Sequence, residues 1–201
     1  MKLAVIKYNA GNIQSVTYAL NRLGIEPVLT DQPEEILSAD KVLFPGVGEA
    51  STAMKFLREK GLDQLLPQLK QPTLGICLGL QLMCKHSEEN NTECLGIFDI
   101  HVKKFEQQQF DQDGVIYKVP QMGWNSIYDL KTNLYKDVSE MSYVYYVHSY
   151  YAELSSHTIA KTDYVNSFSA SLHRDNFYAA QFHPEKSGEI GELIIKNFIN
   201  L

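Results

Sequence analysis

The chain has 201 residues, 44% of them hydrophobic, enough for one substantial core in a single domain over residues 1–201. Its formal charge is 18 − 24 = −6 and no basic stripe runs through it, so nucleic-acid binding has no electrostatic support. The apolar run after Met1-Lys2 is shorter than a signal-peptide core, and no stretch is long enough to span a bilayer.

The first half alternates strand and helix signals. Residues 3–6 form an apolar strand. Residues 12–23 carry Ile13, Val16, Leu20 and Leu23 on one helical side, with Gly24 as the stop. Strands are expected at 26–29 and 41–44, helices at 50–57 and 62–69, and a fourth, short strand at 74–76. This βαβα order predicts an α/β fold with an open, twisted, mostly parallel sheet and helices on both faces. Ligands of such sheets bind at the C-terminal ends of the strands.

The second half reads differently. Strands are expected at 100–105, 115–119, 143–147, 157–161, 169–172 and 177–182, joined by polar turns, with one helix at 189–198. Part of this half should extend the sheet in antiparallel fashion. Residues 106–114 read as a polar hairpin tip, the best place for variable length.

The three cysteines, Cys77, Cys84 and Cys94, fit neither a paired framework nor a zinc ribbon. A reduced, cytoplasmic compartment is expected, without metal or organic cofactor. Cys77 differs from the other two. It stands in Gly75-Ile76-Cys77-Leu78-Gly79, directly after a strand and before the helical spacing Leu78, Gln81, Leu82, Lys85. Gly-x-Cys-x-Gly is the shape of a nucleophile elbow, a sharp strand-to-helix turn that pushes one side chain out at its tip. The helix start sets backbone N–H groups and a positive dipole end beside the sulfur, which favours thiolate. The plain alternative is a small buried hydrophobe at a strand end. Cys84, seven residues on, reads as a core residue.

A second cluster lies 106 residues later: Ala179-Ala180-Gln181-Phe182-His183-Pro184-Glu185. Pro184 biases His183 toward extended backbone, where residues two apart face one side. His183 and Glu185 can then converge, with the carboxylate holding the imidazole tautomer while the imidazole exchanges protons with a sulfur. A surface His-Pro-Glu turn is the plain alternative.

Together these motifs resemble the class I, or triad, glutamine amidotransferases. The resemblance spans nearly the whole chain and makes Cys77, His183 and Glu185 the catalytic residues. Leu43-Phe44-Pro45-Gly46-Val47-Gly48 matches the family loop that gives a backbone N–H to the oxyanion hole; Val47, Gly48 and Leu78 are its implied donors. Gly46, Gln81, Glu89, Ser149 and Tyr150 match positions around the substrate, L-glutamine. Within the superfamily, Gly11-Asn12, Met122-Gly123-Trp124-Asn125, the Tyr146–Tyr151 stretch and Lys186-Ser187 resemble the glutaminase subunits of imidazole glycerol phosphate synthases. The first loop departs from that pattern: Lys7-Tyr8-Asn9-Ala10 stands where Asp-Tyr-Gly-x is usual.

The resemblance implies hydrolysis of glutamine to glutamate and ammonia. The ammonia would pass to a (β/α)₈-barrel cyclase subunit in a heterodimer, which makes imidazole glycerol phosphate and an aminoimidazole-carboxamide ribonucleotide in histidine biosynthesis. Asn12, Trp124, Tyr145 and Lys186 would face that partner. Trp124 is placed in a turn, where burial in the core is the ordinary fate of a tryptophan. His148, with no carboxylate beside it, reads as structural. The rival readings are a glutaminase serving another synthase, a stand-alone γ-glutamyl hydrolase, and a non-catalytic regulatory subunit.

Overall fold

The computed structural model describes residues 1–8 and 13–201. In chain order its strands are β1 (Leu3–Ile6), β2 (Val28–Thr30), β3 (Lys41–Gly46), β4 (Thr73–Cys77), β5 (His86–Ser87), β6 (Thr92–Glu93), β7 (His101–Lys104), β8 (Gln121–Ile127), β9 (Ser142–His148), β10 (Tyr150–Ala152), β11 (Thr158–Asp163), β12 (Ser167–Arg174) and β13 (Phe177–Ala180). Its helices are α1 (Ile13–Arg22), α2 (Pro33–Leu37), α3 (Ala50–Glu59), α4 (Leu62–Leu65), α5 (Leu78–Met83) and α6 (Gly188–Ile199).

Seven strands form the main sheet in the order β11-β12-β13-β4-β3-β1-β2. The five from β13 to β2 run parallel, and β12 and β11 continue the sheet antiparallel. The period of two decides which layer each strand residue joins. Leu3 and Val5, with Leu43, Leu74 and Ile76, pack against Val16 and Leu20 of α1 and Ile194 and Phe198 of α6. Ala4 and Ile6, with Val42 and Phe44, pack against Met54 and Leu57 of α3 and Leu78 and Leu82 of α5. Helices thus cover both faces, and β1, β3 and β4 are buried throughout, which is why they read as unbroken apolar runs. Two small sheets flank this body: β10-β7-β5-β6, and the antiparallel ribbon β8-β9.

Several elements differ from expectation. Residues 115–119 are not a strand; Ile116 makes one bridge to Phe110, and both side chains are exposed. The Met122-Gly123-Trp124-Asn125 segment is no turn but the middle of β8, with Trp124 opposite Tyr145. The expected helix over 62–69 breaks after Leu65 into a 3₁₀ turn at Leu66–Gln68. Pro67 accounts for the break, since it has no N–H for an α-helical bond. Helix α2 and the short strands β5, β6 and β10 escaped the pattern reading, being too short to show a period. No helix among the described residues is long and apolar enough to cross a membrane.

Candidate active site

Three adjacent strands, β3, β4 and β13, deliver the site at their C-terminal ends. Cys77 closes β4 and caps α5 with φ = +54° and ψ = −106°. Left-handed backbone at a cysteine is strained by about 1–3 kcal/mol, so the surrounding packing must hold it. The flanking glycines make that packing possible. A Cβ on Gly79 would sit 1.8 Å from the Phe44 carbonyl oxygen of β3, and one on Gly75 would sit 2.8 Å from the Met83 sulfur. Their absence lets α5 start directly against the sheet. Gly46 lies opposite Cys77 in the β3–β4 register, and a Cβ there would meet the Tyr8 hydroxyl.

His183 follows the end of β13 and is 1% exposed. Its Nδ1 lies 2.7 Å from Glu185 Oε1. The two converge as expected, but by a different local structure: residues 184–186 form a 3₁₀ turn, not extended chain. The ribbon also fixes the histidine. The His183 N–H donates to the Tyr145 carbonyl at 2.8 Å. The Ser187 hydroxyl donates to the His183 carbonyl at 2.7 Å and accepts from the Tyr145 N–H at 2.9 Å. His183 Nε2 is buried with no oxygen or nitrogen partner among the described residues, and the Cys77 sulfur is the neighbour that acts on the ring's charge most strongly. Burial alone would lower the imidazole pKa. The charge of the Cys77 sulfur, its hydrogen bonding and the Glu185 carboxylate outweigh burial and raise it to about 10. That balance favours the charged imidazolium. The other two thiols are held protonated: burial pushes Cys84 well above its usual range and Cys94 up to about 12.

A cavity of about 340 Å³ opens in front of the sulfur. Val47, Gly48, Cys77, Leu78, Gln81, Glu89, Ser149 and Tyr150 all line it, together with Pro120, Val147 and His148. Gly46 does not line it; it lies beneath, buried in β3. Glu89 takes the Ala50 N–H at the start of α3 at 2.7 Å, and its pKa is raised because desolvation outweighs that bond. Gln81 is buried, its Nε2 donating to the Tyr150 carbonyl at 3.0 Å and to Gln181 Oε1 at 3.2 Å. His148 is structural: its Nδ1 lies 2.7 Å from the Tyr150 carbonyl and its Nε2 lies 3.0 Å from Gln121 Oε1. Burial drives its pKa down to about 4, so it stays neutral. Gln181 had no role in the sequence reading, and Ser187 entered it only within the Lys186-Ser187 resemblance, without its hydrogen bonds to His183 and Tyr145. Gln181 stands two positions before His183, but what orients its amide lies far away in sequence, at Gln81 and Tyr150.

Trp124 is 56% exposed, so the ordinary alternative of core burial does not hold for it. Its ring meets Tyr145 edge-on at 6.0 Å, and Lys186 Nζ lies 5.9 Å from the Tyr145 ring centroid. These three therefore form one contiguous strip. Asn12 lies outside the described residues.

The family model of class-I glutamine amidotransferases matches residues 4–201, and the chain belongs to that family. The solved structures it resembles include one described as a glutamine amidotransferase, at TM-score 0.73 and 17% identity over 98% of this chain and 97% of that one. Another, a glutamine amidotransferase from Thermotoga maritima, matches at TM-score 0.65 and 14% identity over 100% and 83%. At that identity they speak for the fold. In sequence the chain is 59% identical, over the full length of both, to the imidazole glycerol phosphate synthase subunit HisH of Bacteroides fragilis strain YCH46. It is 44% identical over the full length of both to the HisH subunit of Blochmanniella floridana.

Proposed function

We propose that the chain is the glutaminase subunit of an imidazole glycerol phosphate synthase, hydrolysing L-glutamine and passing ammonia to a (β/α)₈-barrel cyclase in histidine biosynthesis. Full-length identity of 59% to a HisH subunit carries the reading. The whole chain serves as one amidotransferase domain. Three free thiols fit a cytoplasmic place of work.

Cys77 attacks the carboxamide carbon as thiolate. His183, oriented by Glu185, gives its proton to the leaving ammonia and then takes one from the water that resolves the thioester. Backbone N–H groups of Leu78 and of the Val47–Gly48 loop receive the oxyanion; one such donor is worth about 10²–10³ in rate. The Glu89 carboxylate holds the substrate's ammonium end, the Gln81 amide helps hold the glutamine, and backbone groups of Ser149 and Tyr150 hold its carboxylate. Gly46 keeps the loop close to Cys77 without adding a contact. Gly48, at φ = +126°, lets the loop turn its amides toward or away from the sulfur at low cost, which suits control by a partner. Asn12, Trp124, Tyr145 and Lys186 form the docking surface.

Glutamate release by the chain alone, and with the cyclase carrying its nucleotide, tests the reading. Slow release alone and a marked rise in the complex are expected. A free chain running at the full rate of the complex would contradict it.

A further inference from the structure

Gln81 and Gln181 are buried amides whose orientations are set by a fixed point. The Tyr150 carbonyl, 3.0 Å from Gln81 Nε2, is backbone and can only accept, so it determines which end of the Gln81 amide faces it. The same NH₂ needs a second acceptor, and it finds Gln181 Oε1 at 3.2 Å. Turning Gln181 around would set two NH₂ groups against each other. Gln181 Oε1 therefore faces Gln81, and its own NH₂ faces the other way, 3.8 Å from the Cys77 sulfur.

The sulfur has an opposing neighbour. The Val147 carbonyl also lies 3.8 Å away and accepts from the thiol S–H. An acceptor favours thiol, whereas a donor favours thiolate, and hydrogen bonds to a charged group are the stronger kind. Loss of the proton to His183 makes the Val147 contact unfavourable and strengthens the one from Gln181. Gln181 is fully buried, so no water competes for this donor.

We propose that Gln181 is a positioning residue: oriented by the Tyr150 carbonyl through Gln81, its amide donates to the Cys77 thiolate and holds the sulfur for attack. This rests on Cys77 being the nucleophile.

Gln181→Met keeps side-chain length and removes the donor. Alkylation of Cys77 by iodoacetamide, followed by mass spectrometry from about pH 5 to about pH 10 without glutamine or partner, reads the thiolate directly. The midpoint should move up, and alkylation at pH values below the midpoint should fall about three- to tenfold, tenfold being one unit of midpoint shift. Gln81→Met, which frees Gln181 from its anchor, should shift the profile the same way, and the double variant no further than the larger single. Unchanged profiles in the single variants, or fully additive shifts in the double, would overturn the proposal. Should circular dichroism show Gln181→Met unfolded, Gln81→Met decides alone: no shift there overturns it. Because the assay needs no glutamine, its failure leaves the glutaminase reading standing. A wild-type Cys77 inert at every pH would instead strike at the nucleophile itself.

Discussion

The elbow and the aromatic ribbon are built by opposite rules. Strand β4 is buried at all five residues, with helices over both faces, and its turn into α5 exists only because two glycines let the backbones touch. The ribbon β8–β9 buries one face alone. Val144, Tyr146 and His148 point inward, while Met122, Trp124 and Tyr143 stand open at 66%, 56% and 62% exposure. The two regions meet at Tyr145, whose backbone holds His183 and Ser187 from one side while its ring packs with Trp124 and Lys186 on the other. Where both faces are covered, a residue serves folding and chemistry at once. Where one face is open, large apolar side chains are not needed for the core, and their presence points to another surface that covers them.

Substitutions that separate these roles would break or sharpen the comparison. The largest effect is expected at the elbow. Cys77→Ala should reduce glutamate release to background with the fold intact by circular dichroism, while Cys84→Ala leaves activity largely unchanged. His183→Ala should follow, with a loss of roughly 10²–10⁴-fold. Glu185→Gln should lose less, because orienting an imidazole is a lesser task than moving its proton; equal losses in steady-state rate would contradict that division. The imidazole should also report on the sulfur. Since Cys77 is the largest of the groups that raise the His183 pKa to about 10, Cys77→Ala should lower its titration midpoint in an NMR experiment. The sign follows from burial, which favours the neutral ring once the sulfur is gone.

Gly79→Ala forces a Cβ into the Phe44 carbonyl and should cost about 1–3 kcal/mol of stability, read by urea unfolding, with activity falling as the elbow shifts. Trp124→Ala should show the converse pattern: unfolding within about 0.5 kcal/mol of wild type, but binding to the cyclase weaker by about 2 kcal/mol or more in titration calorimetry. Unchanged affinity would remove the ribbon's best anchor. The smallest effect belongs to Lys186→Ala, an exposed rim charge that should mainly slow association and flatten its salt dependence.

How much of this was legible in the sequence follows the same divide. Buried parallel strands announced themselves as apolar runs, and the Gly75-x-Cys77-x-Gly79 spacing announced the elbow, because there local pattern and tertiary packing demand the same residues. The ribbon was misread. With Met122 and Trp124 facing out, β8 lacks the polar-outside alternation of a half-buried strand, and a lone tryptophan looks like core. The His183–Glu185 contact was expected for a reason that did not hold, since a 3₁₀ turn brings the pair together. Gln181 was hidden by its neighbours: its orientation depends on Tyr150 and Gln81, 31 and 100 positions away, and no local pattern carries that.

The central claim is that one thiol of three is the nucleophile of a glutamine hydrolase, and a glutamine-shaped alkylating agent tests it most directly. Treating the intact chain near neutral pH with the chloromethyl ketone analogue of glutamine, then mapping the adduct by mass spectrometry, should give a single modification at Cys77, suppressed by excess glutamine and absent in Cys77→Ala. Cys94, held protonated by burial with its pKa near 12, and the fully buried Cys84 should stay unmodified. An adduct on Cys84 or Cys94 with Cys77 untouched, or labelling of Cys77 that glutamine fails to suppress, would contradict the account.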